Sequence, residues 1–590
     1  MKEDKILKKR ALPVIFAIAI VIVSIVVIIV GNIIDKNTPS KKHISDKEMK
    51  ELFLLYDGYT MEEDGVNFAN AKEADENQVA IILQNELVND RAVVEDGKIY
   101  LTYEFVKTNI NDKFYWDSNE NYLIYTTPTD IIKTEVGSKD YYVSKVKNTE
   151  EYQIVKTEGN ITYIAIDFVK KYSALEYSFY ENPNRVLIRS KWDETVNTAV
   201  LKKGVAVRTD ESIKSDIIYK CSGSTGVEVI ESGKKWSRVI TENGFFGYVE
   251  NSSLSKKGSK TYTTDFTYPE YTSIGMSDTI SLAWHMVTSQ AANENLVDIV
   301  TPAKGLNVVS PTWYRLSDNE GNMTSLVSEN YIKRAHMIGL DVWAMVDDQS
   351  ADSDNKQIFT YTSKREKIIN QLVADAINYG IDGINVDFEY ITSDIADDYI
   401  QFIRELSVKC RINGIVLSVD NKVPEASNAY YNLAAQGEVV DYVIIMGYDE
   451  HWGVDSGSGS VASLPWVTQG VADTVAVVDS NKVINAIPFY TRIWTEDSQG
   501  NVIDTSAVGL GVAEKQLANM GVTPVWVENV GQNYGEYTEG ENVVRIWLED
   551  AKSIEEKLKL ISQYNIAGVA AWRLGLEDEE IWNTIIKYTN

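Results

Sequence analysis

Between positions 382 and 389 the chain reads Asp382-Gly383-Ile384-Asn385-Val386-Asp387-Phe388-Glu389, polar and apolar by turns. Strand side chains alternate between faces, so Ile384, Val386 and Phe388 turn one way and Asn385, Asp387 and Glu389 the other. Ile368, Leu372, Ala376 and Ile377 recur before it at helical spacing, and a second helical pattern covers about 395–406. A strand between helices is the pattern of a parallel sheet. Such strands are covered on both faces and normally read as apolar runs, so two inward carboxylates need a reason. On the strand alone, a strand end where acids meet water, or a buried acid held by an Arg or Lys, accounts for them as well as a chemical site does.

The same reading over 277–590 yields strands at 280–287, 306–310, 341–346, 383–389, 415–419, 442–446, 483–487 and 568–572, separated by helical stretches. Eight such units predict a (β/α)8 TIM barrel, whose usual length is about 250 residues. The excess falls between the seventh and eighth strands, where 525–527 and 543–547 flank a Gly- and Asn-rich turn and predict a small hairpin insertion. At the other end, residues 11–34 are apolar except for Pro13, Ser24, Gly31 and Asn32, and follow Lys2, Lys5, Lys8, Lys9 and Arg10. That run is long enough to cross a bilayer with its basic flank in the cytoplasm. It predicts an uncleaved transmembrane signal anchor over 1–35; the alternative is a cleaved signal peptide, which has a shorter apolar core and a small-residue cleavage site.

Two smaller modules lie between. Over 47–193, Glu104-Phe105-Val106-Lys107 recurs as Asp167-Phe168-Val169-Lys170, and Trp116, Asn119 and Asn121 recur as Phe179, Asn182 and Asn184, all 63 positions on (167 − 104). A single offset marks an internal repeat, each unit reading strand, short helix, hairpin: an α+β module. Over 197–256, segments around 205–208, 227–230, 236–239 and 244–249 are short alternating strands between Gly, Asp and Ser turns, a small β-barrel. Trp236 and Tyr248 either line a groove there or pack in its core. The Lys-, Ser- and Thr-rich stretch 255–264 reads as a linker.

Composition narrows the function. With 44% hydrophobic and 10% aromatic residues the 590-residue chain folds. A net charge of −29 argues against nucleic acid as a partner. Cys221 and Cys410, in different predicted domains, make neither a disulfide framework nor a metal site, and the four His show no pair at ligand spacing. No metal or cofactor is expected.

The acidic strand resembles the active-site signature of glycoside hydrolase family 18, Asp-x-x-Asp-x-Asp-x-Glu, with Asp382, Asp387 and Glu389 in place and Asn385 where an Asp is usual. The same Asn occurs in a branch that includes spore-cortex and cell-wall N-acetylglucosaminidases. Met446-Gly447-Tyr448-Asp449 is similar to the family's Met-x-Tyr-Asp at the end of the sixth strand, and Trp572 matches its last-strand Trp. The resemblance implies substrate-assisted hydrolysis. Glu389 is then the general acid and later base, Asp387 receives the acetamido N–H, Tyr448 binds the acetamido carbonyl, Asp449 contacts the sugar and Trp572 floors it, with Met446 and Asp382 completing the motifs. Asn385 is expected to hydrogen-bond Asp387 without being able to accept a shared proton. The aromatics Trp284, Trp313, Tyr314, Trp343, Tyr490 and Trp494 at strand ends are sugar subsites or core, and Asp347 and Asp348 contact sugar or solvent. The segments around Trp313 and from Pro488 to Trp494, with Arg492, resemble the same branch.

The repeat resembles the module named after the N-terminal region of copper amine oxidases; having no His or Cys it carries no copper, and a spacer or wall-binding role is implied. The small barrel resembles a bacterial Src-homology-3-like domain. Together these predict a membrane-anchored, extracytoplasmic glycosidase acting next to N-acetylglucosamine, with peptidoglycan preferred as the polysaccharide partner. Chitin or chito-oligosaccharides are the enzymatic alternative, and a catalytically silent glycan-binding protein is the alternative from another class.

Overall fold

A computed structural model describes residues 3–62 and 65–589, with side chains from residue 19 onward. Lys2 therefore lies outside the described residues, as do the side chains of Lys5, Lys8, Lys9 and Arg10. The chain forms two compact units, residues 1–112 with 152–268, and residues 113–151 with 269–590.

The first unit begins with a helix over Glu3–Asn37. Its part Ala19–Asn37 has a mean hydropathy of 2.3 and none of it is buried, so it is long and apolar enough to cross a membrane. The repeat follows with its offset intact. Lys98–Thr102 pairs antiparallel with Ile161–Ala165, and each strand runs into a short helix, Tyr103–Asn109 and Ile166–Lys171. The second hairpin, Glu176–Tyr180 with Arg185–Arg189, stays in this seven-stranded sheet.

The first hairpin does not. Phe114–Asp117 and Tyr122–Thr126 open a five-stranded antiparallel sheet that belongs to the second unit, so the module read as continuous over 47–193 is divided. The reason lies in its acids. Asp117 accepts from Thr362 N and Oγ1 (2.7 and 2.5 Å) and Glu120 from Ser363 N (2.7 Å). These are the first residues of the helix Thr362–Tyr379, whose own N-cap position, Tyr361, supplies no side-chain bond. Tyr180 and Pro183 stand at the equivalent places of the second repeat (117 + 63, 120 + 63), and neither can cap a helix.

Residues 195–261, where short alternating strands are expected, form a seven-stranded antiparallel sheet around Leu201, Val207, Val227, Val239 and Val249, with Ile217–Lys220 and Ser255–Thr261 at its two edges. Ser255–Thr261, read as a linker, is instead a strand paired with Thr195–Leu201. Its polar composition is that of an edge strand with both faces toward water.

In the second unit eight parallel strands close on themselves: β1 (Ile280–His285), β2 (Val308–Leu316), β3 (Asp341–Asp347), β4 (Gly383–Asp387), β5 (Val416–Lys422), β6 (Tyr442–Met446), β7 (Val483–Pro488) and β8 (Gly568–Trp572), with β8 pairing both β7 and β1. Ile384, Val386 and Phe388 pack outward against helices, with Ile368, Leu372 and Ala376. Trp284, Trp343 and Tyr442 fill the interior. Gly383 is needed for this filling, because a Cβ there would stand 2.6 Å from the Trp343 ring. Between β7 and β8 the insertion is larger than a hairpin: five strands, from Tyr490–Glu496 to Asn542–Leu548, and a helix, Leu510–Asn519. Residues 490–496, read as a segment after β7, pair with Val502–Gly509 on one side and Asn542–Leu548 on the other, which builds the sheet.

Candidate active site

Catalytic groups of this barrel type sit at the C-terminal ends of the strands. Here β4 ends at Asp387 and Glu389 stands two residues beyond, so the alternation read from sequence carries Asn385, Asp387 and Glu389 up one inward column. Asn385, at the bottom, is fully buried with both ends of its amide engaged. Its Oδ1 accepts from Trp284 Nε1 (2.9 Å) and Ser310 Oγ (3.2 Å), and its Nδ2 donates to Ser418 Oγ (3.0 Å) and Asp420 Oδ1 (2.8 Å). An indole N–H can only donate, which fixes the amide's orientation. The partner of Asn385 is therefore Asp420, not Asp387 as expected.

Asp387 is 5% exposed and Asp420 2%. Burial, then the neighbouring Asp420, Glu389, Asp348 and Asp347, pushes the Asp387 carboxyl well above the usual carboxylate range. Burial does the same to Asp420, with the Asn385 hydrogen bond pulling the other way. Glu389, by contrast, keeps 27% of its side chain exposed. Gln349 Nε2 donates to its Oε1 (2.9 Å) and Lys422 Nζ lies 3.4 Å from its Oε2. Below it, Asp348 accepts from the backbone N–H of Glu389 (3.0 Å) and Tyr390 (2.9 Å) and from Asn355 (2.6 Å), which pins the chain after β4. Asp347 is ion-paired with Arg315 at 2.6 Å. Both acids are buried rather than solvated.

Tyr448, after β6, is half-buried with its ring edge-on to Tyr490 at 6.1 Å. Tyr490 is buried and donates through its hydroxyl to Asp449 Oδ1 (2.5 Å), so it orients Asp449 rather than offering a ring face. Met446 ends β6. Trp572 ends β8, half-buried, its ring 5.8 Å from that of Trp284. Arg492, partly exposed, has a buried Nε without a partner among the described residues.

Several expected ligand contacts fall elsewhere. Asp382 precedes β4, at the opposite end of the barrel, where its Oδ2 accepts from Val342 N (2.8 Å) and lies 2.7 Å from His336 Nε2. Trp313 and Tyr314 lie within β2, which runs to Leu316, and face helices; Trp313 donates to Asn293 (2.8 Å) and Tyr314 to Asp375 (3.2 Å). Trp343 stacks on Tyr442 inside the barrel, Trp284 is held beneath Asn385, and Trp494 is wholly buried in the insertion. The exposed rings are others: Tyr390 at 64% and Trp452 at 63%, on the segments after β4 and β6. Tyr390, Gln349 and Asp348 also border a groove of about 550 Å³.

β5 runs three residues beyond the apolar stretch 415–419 expected for it, and Asp420 and Lys422 lie in that extension. Continued through it, the alternation puts Ser418, Asp420 and Lys422 on the inward face.

A closed parallel barrel with acids and aromatics at its C-terminal mouth defines a TIM-barrel enzyme. The chain belongs to the glycosyl hydrolases family 18, whose profile matches residues 141–577, and it is a glycoside hydrolase. The copper amine oxidase N-terminal domain matches residues 82–188. Among curated proteins it is similar to the uncharacterized glycosylase YvbX of Bacillus subtilis, 29% identical over 42% of this chain and 75% of that protein. It is also similar to the cortical fragment-lytic enzyme of Bacillus subtilis, 27% identical over 37% of this chain and 52% of that one. The chain thus spans about half the length of the second relative. Among solved structures, the Bacillus cereus spore cortex-lytic enzyme SleL aligns with a TM-score of 0.48 at 18% identity, over 58% of this chain and 79% of that one.

Proposed function

We propose that the chain is a membrane-tethered, extracytoplasmic glycosidase that cleaves β-1,4 bonds next to N-acetylglucosamine with retention of configuration, and that its substrate is peptidoglycan. The observation that carries the reading is the split between the acids of one column: Glu389 reaches the mouth partly exposed, and Asp387 behind it is buried without a cation. Environments that separate two carboxylates in this way assign them different roles. Glu389 protonates the glycosidic oxygen as the C1–O bond breaks, while the acetamido oxygen of the same sugar closes on C1 to give an oxazolinium ion. Asp387 accepts the acetamido N–H and balances the growing positive charge, and the Tyr448 hydroxyl donates to the acetamido oxygen. Glu389, now a carboxylate held by Gln349 and Lys422, takes a proton from the water that opens the ring. Trp572 lies under the reacting sugar, Asp449 and Arg492 hold its hydroxyls, and Tyr390 and Trp452 stack on flanking sugars.

Peptidoglycan is preferred over chitin because the apolar helix and the accessory modules sit in the same chain, and because a relative of similar sequence is named for lysis of cortical fragments. The test is mass spectrometry of products released by the detergent-solubilised full chain, wild type and Glu389→Gln, from purified peptidoglycan and from chito-oligosaccharides. New reducing N-acetylglucosamine ends from peptidoglycan, absent with the variant, support the reading. Cleavage of chito-oligosaccharides alone moves the substrate to chitin, and binding to either glycan without turnover makes the protein a lectin.

A further inference from the structure

Two carboxylates stand side by side inside the barrel, one on β4 and one on β5. The strands run parallel with Asn385 opposite Ser418 and Val386 opposite Val419, so the next pair along is Asp387 with Asp420, on backbones about 4.8 Å apart. Neither receives a bond from Lys or Arg among the described residues. The groups facing them supply no free countercharge. Asp347 and Asp348 come from the end of β3, Glu389 from beyond β4, Tyr448 from beyond β6, and Tyr399 from the helix Ala396–Asn413. Of the nearby cations, Lys422 is engaged by Glu389 and Arg315 by Asp347.

The two acids differ in what touches them. Asp420 Oδ1 receives the Asn385 N–H, which favours its ionised form. Asp387 Oδ1 is buried and takes no hydrogen bond among the described residues. Two like charges this close in a dry site do not both ionise. We infer that Asp420 is the proton partner of Asp387, the two carboxyls sharing one proton that rests on Asp387 in the free enzyme and passes to Asp420 when a substrate acetamido group arrives.

The step, which rests on the function proposed above, is a proton transfer alone. The O–H bond of Asp387 breaks, an O–H bond forms on Asp420, and Asp387 becomes the anion that the acetamido N–H and the oxazolinium require. The transfer reverses on product release. This also explains Asn385. With Trp284 and Ser310 donating to it and Asp420 accepting from it, the site needs a group that accepts at one end and donates at the other, which an ionised Asp cannot do. The second carboxylate has moved from β4 to β5, and Asp420 acts as a positioning residue for Asp387.

The experiment compares full-chain wild type with Asp420→Asn and with the double variant Asn385→Asp/Asp420→Asn, which returns the carboxylate to β4. Asp420→Asn is expected to lower kcat about 10²-fold, to leave KM within a few-fold, and to displace a limb of the kcat pH profile. The double variant is expected to regain at least about tenfold of that loss. At neutral pH, the wild-type-minus-Asp420→Asn infrared difference spectrum should contain a protonated-carboxyl C=O band. An unchanged kcat and pH profile in Asp420→Asn overturns the inference. So does a loss that the double variant does not recover together with no carboxylic-acid band, which makes Asp420 merely structural. If the wild type turns over no glycan, the proposed function fails, and the infrared difference still decides whether the proton is shared.

Discussion

Single side chains at the barrel mouth carry separable loads. Glu389→Gln keeps the hydrogen bond to Gln349 and removes the carboxyl proton that the proposed mechanism delivers to the glycosidic oxygen, so kcat should fall by about 10³-fold with KM nearly unchanged in steady-state assays. Trp572→Ala should do the reverse in part: loss of a ring face costs about 1 kcal/mol, read as a KM raised several-fold. Asn385→Leu strands the Trp284 N–H and removes the donor to Ser418 and Asp420. Unpaired buried groups cost about 1–3 kcal/mol each, so chemical denaturation should show several kcal/mol lost before activity is considered. The column of Asn385, Asp387 and Glu389 was legible because a strand's period of two needs no tertiary information. Asp420 stands one residue past the point where apolar character stops, and the hydrogen bond from Asn385 ties it to the site. Of the two readings open for the strand-end aromatics, core or sugar subsite, most take the first, for a physical reason. Trp284, Trp313, Trp343 and Trp494 fill space, and sequence does not say whether a ring at a strand end is covered.

Among the elements, a helix in the barrel wall is capped by a hairpin whose acids lie 245 residues (Asp117 to Thr362) and 243 residues (Glu120 to Ser363) away in the chain. Asp117 and Glu120 satisfy the first N–H groups of Thr362–Tyr379 and place negative charge at the positive end of its dipole. Arg365, one turn in, is fully buried; it donates to Tyr115 of the same hairpin (3.1 Å) and to Glu405 (3.3 Å), and lies 4.7 Å over the Tyr115 ring. Asp117→Ala should therefore destabilise the second unit by about 1–2 kcal/mol, seen in calorimetry of the full chain as a lower Tm for the barrel transition, with the first unit's transition unmoved. An unmoved barrel transition would mean that the hairpin is only an appendage. The offset of 63 predicted strand, helix and hairpin correctly in both repeats. It could not say that the hairpins part company, because the difference lies in two capping acids rather than in the hydrophobic pattern. The insertion after β7 hides its extent for a similar reason: 490–496 takes its strand structure from two partners that flank it in the sheet, 502–509 and 542–548, both later in the chain.

For the whole molecule, the N-terminal helix determines where the barrel can meet its substrate. The helix segment Ala19–Asn37 spans 19 residues, which at about 1.5 Å per residue gives about 28 Å, close to the hydrocarbon thickness of a bilayer. Lys8, Lys9 and Arg10 precede the apolar run, and a basic flank of this kind is retained in the cytoplasm, so the proposed anchor has an orientation that experiment can test. On the proposed function, a tether of this kind would hold the hydrolase within reach of the envelope and keep it from diffusing away. Expressed with its full N-terminal segment, the protein should sediment with membranes, resist extraction by high salt and be released by detergent. Protease added outside intact spheroplasts should destroy the barrel while sparing a cytoplasmic marker. Replacing Val23 and Val27 with Arg, each at a cost of about 3 kcal/mol near the centre of the span, should shift the protein to the soluble fraction. Recovery of the wild type in the culture medium, beginning a few residues after the apolar run, would instead show a cleaved leader and leave the small β-sheet module and the repeat as the means of retention at the wall.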